Sequence, residues 1–329
     1  MKKNCIDALS LATQRGFVTL ADGVVMLNAQ VVPDLTSLQI SSLTCEQGFR
    51  PVFNNLLSAG HNVEPVVELS KAAAAIVIAG RNRKVNERNI ARAWNMCNVG
   101  NEIVVVGDKT SGINALRKWV SEKSEISDSF SKYHSVVFKF VRAGDAWPLP
   151  VLEKEIVGYQ LADGMFSASG PDLASELLVE NFANKLYGRV ADFGAGWGYL
   201  SHNAMKTCSG ISELDLFEAD YGSLQTAKLN LQQAAEIKIN FHWLDVVSEF
   251  EKRPYDWVIM NPPFHQSRAA DPDLGRKFIE ISASTLPTGK RLMLVANRNL
   301  PYEVTIQKCF RHFQTLEERD GFKVIEAIK

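Results

Sequence analysis

The sequence predicts an α/β protein of two units, each an open, mainly parallel sheet with helices wound on both sides. Three observations predict it. Apolar runs of strand length alternate with helix-length stretches, both before residue 150 and after it. A mixed-polarity, proline-containing stretch from Asp145 to Gly164 separates the two series and places the boundary near Pro150. The length of 329 residues also exceeds the roughly 100 to 200 residues of one domain.

In the first half, AAAAIVIAG reads as a buried strand, and a polar helix is expected from about Asn86 to Cys97. EIVVVGDKTSG then gives a second buried strand ending in a turn, and SVVFKFV a further strand before the boundary. This half has the layout of a nucleotide-binding fold, yet it contains no G-x-G-x-G, no G-K-[ST] and no convergent acids. A binding or structural role suits it better than catalysis.

In the second half, PDLASELLVENFAN has helical spacing, with Leu173, Leu177, Leu178 and Phe182 expected on one apolar face and Pro171 at the start. RVADFGAGWG is a short strand running into a glycine loop, followed by a helix from about Tyr199. The strand ELDLFEAD, the helix SLQTAKLNLQQAA and the strands KINFHWLD, YDWVIM and KRLMLVANRN continue the alternation of a doubly wound, Rossmann-like sheet.

Composition narrows the function classes. With 46% apolar and 22% charged residues, 21 Gly and 12 Pro, the chain is neither disordered nor fibrous. Its longest apolar run, Ala72 to Ala79, falls far short of the ~20 residues of a membrane-spanning helix. Asp7, Ser10 and Gln14 interrupt any apolar N-terminal stretch, so no secretory signal and a cytoplasmic location are expected. Cys5, Cys45, Cys97, Cys208 and Cys309 lie scattered with no C-x-x-C pair, which predicts reduced thiols and no metal site. The net charge of −1 hides an asymmetry: residues 1–150 carry 17 Lys+Arg against 13 Asp+Glu, the remainder 19 against 24. The first half has the better electrostatic case for meeting phosphates, and Arg81, Arg83 and Lys84, with Arg88 and Arg92 on the next helix, are its candidate backbone contacts.

The chemistry concentrates in the second half. Gly194, Gly196 and Gly198 follow a strand and precede a helix, where glycine lets the backbone turn sharply and approach a ligand. Asp192 at that strand end favours a cationic or hydroxyl-rich ligand over a pyrophosphate, a preference that S-adenosylmethionine fits. Glu218, 26 residues on and ending the next strand, is placed to accept ribose hydroxyls, with Asp220 as the competing candidate. Asp245, ending the third strand beside Val246, could accept from an adenine amino group. Trp197 would narrow the loop or pack behind it.

Asn261-Pro262-Pro263-Phe264 closes the strand YDWVIM. Two prolines fix the backbone and remove N–H donors, Asn261 offers an amide oxygen, and Phe264 offers a stacking face. Such a site binds a planar amine and favours its attack on a methyl sulfonium. His265 follows, as a positioning group or a general base.

These residues resemble the class I methyltransferases of the amino-methylating type, specifically the ribosomal RNA guanine-N2 methyltransferases of the small subunit methyltransferase C family. MFSASGPDLASELLV, NPPFH, LVANRNLPYE and GFKVIEAIK resemble that family's segments, and VVVGDKTSGI with YHSVVFKF resembles its N-terminal domain, a degenerate copy of the catalytic fold. The resemblance covers most of the chain. It implies a catalytic domain over 151–329 and a possible RNA-binding domain over 1–150. It implies S-adenosylmethionine as donor, held by Asp192, Gly194, Gly196, Gly198, Glu218 and Asp245. Asn261, Pro262, Pro263 and Phe264 become the catalytic motif, and Phe166, Ser167 and His265 line the substrate mouth. Ribosomal RNA is the implied partner. Asp245 departs from relatives that carry Asn there. The residues alone also admit DNA adenine N6 or a protein glutamine as acceptor, and an RNA-binding assembly protein without methylation.

Overall fold

A computed structural model describes residues 4–20, 22–30, 35–68, 72–232, 237–263 and 272–329. The chain divides into two compact units, Met1–Lys154 and Glu155–Lys329.

The first unit holds β1 (Val24–Leu27), β2 (Leu43–Glu46), β3 (Asn62–Glu64), β4 (Ala74–Ile78), β5 (Glu102–Asp108), β6 (Ile126–Lys132) and β7 (Ser135–Val141). They form one sheet in the order β3-β2-β1-β4-β5-β7-β6, parallel through β5 and antiparallel at β7 and β6. Every residue of β1 and β4 is buried, as parallel strands covered on both faces require. Successive residues feed opposite cores: Val25, Val77 and Val105 pack with Ile90 and Trp94, while Val24, Ile76 and Val104 pack with Leu9. The helices are α1 (Cys5–Gln14), α2 (Leu35–Leu38), α3 (Arg50–Ser58), α4 (Arg83–Met96) and α5 (Ile113–Ser121). α4 starts three residues before its expected start, because Asn82 caps it by accepting from the Val85 N–H at 3.1 Å.

A small two-stranded sheet, β8 (Glu153–Ile156) with β9 (Tyr159–Ala162), falls at the division. The sequence reads this stretch as a plain connection; Gly158, at φ 79°, permits the tight turn that folds it back on itself.

The second unit continues with α6 (Leu173–Phe182), β10 (Tyr187–Phe193), α7 (Tyr199–Thr207), β11 (Gly210–Glu218), α8 (Tyr221–Asn230), β12 (Lys238–Trp243), α9 (Val246–Glu249), β13 (Trp257–Met260), α10 (Pro272–Thr285), β14 (Arg291–Asn297), α11 (Glu303–Cys309), β15 (His312–Arg319) and β16 (Phe322–Ile328). Its sheet runs β12-β11-β10-β13-β14-β16-β15, the same positional order as the first, parallel through β14 and antiparallel at the last two strands. The expected face of α6 needs one correction. Ala174, Leu177, Leu178 and Phe182 are buried, whereas Leu173 is 58% exposed, because the helix begins at Leu173 with Asp172 as its cap and that first residue points outward. No helix among the described residues is long and apolar enough to cross a membrane, and none of their His, Cys, Asp and Glu residues form a metal-sized cluster.

Candidate active site at the strand ends of the second sheet

Strand register assembles the rim. Phe193 pairs with Phe217, Asp192 with Ile259, and Glu218 with Trp243, so the ends of β10, β11, β12 and β13 lie side by side. Ligands of open parallel sheets bind along this edge. After β10 the chain turns on Gly194, Gly196 and Gly198, at φ 75°, 56° and 90°. The Gly194 and Ala195 N–H groups both donate to the Phe217 carbonyl, at 2.9 and 3.1 Å, which carries the loop across β11. The glycines serve different ends. A Cβ at Gly198 would stand 2.6 Å from Leu231 Cδ1, so this position is closed by packing against α8. A Cβ at Gly196 would meet nothing within 4 Å, so this position borders open space.

Asp192 is fully buried, and its Oδ2 accepts from Ser201 Oγ at 2.6 Å. Among the described residues its Oδ1 has no partner, and burial pushes its carboxyl up to about 7. Glu218 is raised to about 7 as well, chiefly by desolvation, although Oε2 accepts from the Gly196 N–H and Oε1 from the Asp220 N–H, both at 2.7 Å. This carboxylate thus ties the loop to β11 through backbone donors alone and keeps lone pairs for a ligand. Asp220 caps α8 through the Ser223 N–H at 2.7 Å. Asp245 caps α9, accepting from Val247 N–H at 3.0 Å and Ser248 Oγ at 2.6 Å.

Asn261 follows β13 directly. One side-chain amide nitrogen donates to Ser175 Oγ at 3.0 Å and Asp172 Oδ1 at 3.3 Å. A carboxylate only accepts, so Asp172 fixes which way the amide faces. Among the described residues nothing donates to Asn261 Oδ1. Pro262 is buried and Pro263 exposed. Asn261, Asp172, Ser175, Phe166, Ser167 and Gly194 through Trp197 line one cleft, joined by Tyr199 and Leu200. Phe166 is 61% exposed at its edge, and Ser167 has a positive φ of 50°.

The structure therefore gathers Phe166, Ser167, Gly194, Gly196 and Asn261 in one cleft. Glu218 is hydrogen-bonded to its wall, while Asp245 stands farther along the rim as a helix cap. Trp197 is 3% exposed and packs on Tyr159 and Tyr199 with ring centroids 5.0 and 5.4 Å away. Phe264 and His265 lie outside the described residues. In the first unit, Arg81, Arg83 and Lys84 are exposed; Arg83 pairs with Glu87 at 2.7 Å, Arg88 with Glu153 at 2.7 Å, and Arg92 is taken up by Glu46. Sequence reasoning missed Asp172, Ser175, Ser201 and Tyr159. Asp172 and Ser175 carry a local signal, an Asp three residues before a Ser at a helix start, inside the family-like segment MFSASGPDLASELLV.

A family model, methyltransferase small domain, matches residues 159–326. The ribosomal RNA small subunit methyltransferase C of Psychromonas ingrahamii is 32% identical over 241 residues, 70% of this chain and 68% of that protein. The chain belongs to this methyltransferase family. Its Erwinia tasmaniensis member is 30% identical over 241 residues, again covering 70% and 68% of the two chains. A 16S rRNA N2 methyltransferase of T. thermophilus, solved with AdoMet and guanosine, matches at a TM-score of 0.79 and 24% identity over 93% of this chain and 88% of that one. The likeness in fold spans both units. The second unit has the Rossmann-like α/β fold of the class I methyltransferases.

Proposed function

We propose that the protein transfers a methyl group from S-adenosylmethionine to the exocyclic N2 amine of a guanine in small-subunit ribosomal RNA. The observation that carries this reading is Asn261, whose amide hydrogens are committed to Asp172 and Ser175 so that Oδ1 is left to accept from an amine in the glycine-loop cleft. Family membership and the guanosine bound by the T. thermophilus protein support the choice of acceptor.

The residues fit the cofactor. Asp192 presents a buried oxygen with no partner among the described residues, Gly196 puts no side chain into the open space beside it, and Glu218 keeps acceptor capacity for ribose hydroxyls. Asp192, Gly194, Gly196, Glu218 and Asp245 would hold it, while Gly198 makes the turn that packs against α8. Bound there, it supplies an electrophilic methyl group. Asn261 accepts a hydrogen bond from the amine and draws its nitrogen from planar towards tetrahedral geometry, which frees the lone pair for in-line attack. Pro262 and Pro263 hold the Asn261 backbone and bring no competing N–H. Once methylated, the nitrogen sheds a proton without needing a strong base. The acceptor base must stand unstacked to reach the cleft, with Phe166 at the mouth as a stacking face.

The first unit reads as a copy of the same fold that has lost its ligand site and retains an RNA-facing surface around Arg81, Arg83 and Lys84. Asn261→Ala tests the central residue. Turnover should fall about 100-fold or more, the usual cost of removing one well-placed hydrogen-bonding group, while AdoMet affinity measured by calorimetry stays within about twofold. A parallel loss of cofactor affinity would contradict the assignment.

A further inference from the structure

The geometry points to Asp172 as the residue that selects guanine over adenine, cytosine and glutamine amines, by accepting the ring N1–H beside the reacting N2 amine. This rests on reading the cleft as the acceptor site.

Asp172 Oδ1 carries both of the carboxylate's internal hydrogen bonds. It accepts from the Ser175 N–H at 3.1 Å as the cap of α6, and from the Asn261 amide at 3.3 Å. Among the described residues no donor reaches Oδ2. Asn261 Oδ1 is in the same position, and both side chains line the same cleft. Two acceptors without a donor among the described residues therefore line one cleft, one on an amide and one on a carboxylate, and the Asp172–Asn261 hydrogen bond fixes their spacing.

A wall of two acceptors suits a ligand edge with two adjacent donors. Guanine presents one, because its N2 amine lies next to the N1–H of the ring. Adenine and cytosine place a bare ring nitrogen beside their amine, and a glutamine side chain places a carbonyl oxygen there. Each of these would set an acceptor lone pair against a carboxylate, a polar group left unpaired on both sides. The carboxylate thus separates guanine from adenine N6 and from protein glutamine, acceptors that an Asn-Pro-Pro-Phe motif alone does not distinguish.

The two oxygens divide the labour so that an isosteric substitution isolates the effect. In Asp172→Asn the amide oxygen can keep both Oδ1 bonds, and only the second carboxylate oxygen is replaced by a donor. The test is equilibrium binding of nucleosides to the full chain saturated with S-adenosylhomocysteine. Guanosine is compared with 2-aminopurine riboside, which keeps the N2 amine but has a bare N1, and with 1-methylguanosine.

The wild type should bind guanosine at least about 10-fold tighter than either analogue, the range of a charge-assisted hydrogen bond. Asp172→Asn should lose or invert the preference for guanosine over 2-aminopurine riboside, with S-adenosylhomocysteine affinity unchanged as the check on folding. Equal wild-type affinity for guanosine and 2-aminopurine riboside would overturn the inference whatever the variant does. So would a variant that keeps the wild-type preference, or a wild type that binds no guanosine. Formation of N2-methylguanosine in ribosomal RNA is scored separately. If it forms while the nucleosides bind alike, the role of Asp172 falls and the proposed reaction stands; if it does not form while guanosine is still preferred, the reverse holds.

Discussion

The two sheets have seven strands each in the same order, and in both a glutamate ends the second strand, Glu46 on β2 and Glu218 on β11. Their turns differ by one residue in register, since Ala29 N–H reaches the Glu46 carbonyl itself at 2.9 Å, whereas Gly194 N–H reaches the carbonyl of Phe217, the residue before Glu218. Their side chains part company. Arg92 grips Glu46 with two nitrogens at 2.5 and 2.6 Å, and the Val67 N–H adds a third donor at 2.7 Å. After β4, Asn86 accepts from the Gly80 N–H and donates to its carbonyl, both at 2.8 Å, sewing shut the turn that corresponds to Asn261-Pro262-Pro263. In the second unit Glu218 receives only backbone N–H groups among the described residues, and Asn261 after β13 lines the cleft. One architecture thus gives two outcomes, and a rim becomes a site where the chain leaves its own acids and amides unsatisfied.

The two rims should therefore respond oppositely to mutation. The largest effect belongs to the closed one. Arg92→Ala strands a nearly buried carboxylate and should destabilise the first unit by about 3 to 5 kcal/mol, read as a lower unfolding midpoint in urea. Glu46→Met with Arg92→Met should recover most of it; a single mutant with unchanged stability would mean that the pair does not close the rim.

The open rim should be limited by its own buried acid. Because Asp192 is raised from 3.8 to about 7, the folded state holds a proton that the unfolded chain releases between those values. Its contribution is present below about pH 4 and is lost as pH rises through about 7, so the second unit of the ligand-free protein should weaken across that window. Asp192→Asn, which can still accept from Ser201, should flatten the profile by roughly 2 to 4 kcal/mol. A thermal unfolding series from pH 4 to 8 that is the same for both proteins would refute it.

The smallest effect concerns the surface of the first unit. Arg81→Ala should lower ribosomal RNA affinity only a few-fold, with the slope of log affinity against log salt reduced by about one. An unchanged slope would remove Arg81 from the RNA contact.

Much of this could be read along the chain because its signals are local. The glycine loop, the acids at successive strand ends and Asn-Pro-Pro-Phe each lie within a few residues of a recognisable strand, and the structure places the loop, the acids and Asn261 on one rim. The rest depends on partners distant in sequence. Asp172 and Ser175 reach Asn261 across 89 and 86 residues, and no spacing rule reports that. Arg92 looks like part of a basic helix face until Glu46, 46 residues away, takes it up. The β8–β9 hairpin was hidden because short, polar, edge-exposed strands carry little apolar alternation. Leu173 was misplaced because periodicity gives a helix face but not the residue at which the helix starts.

The most direct test of the account is methyl transfer from labelled S-adenosylmethionine to small-subunit, large-subunit and protein-free ribosomal RNA, followed by digestion to nucleosides and mass spectrometry. The account predicts N2-methylguanosine from small-subunit RNA with the wild type and a loss of about 100-fold or more in Asn261→Ala. Label on another nucleoside, or unlabelled RNA with a protein that still binds the cofactor, would contradict it.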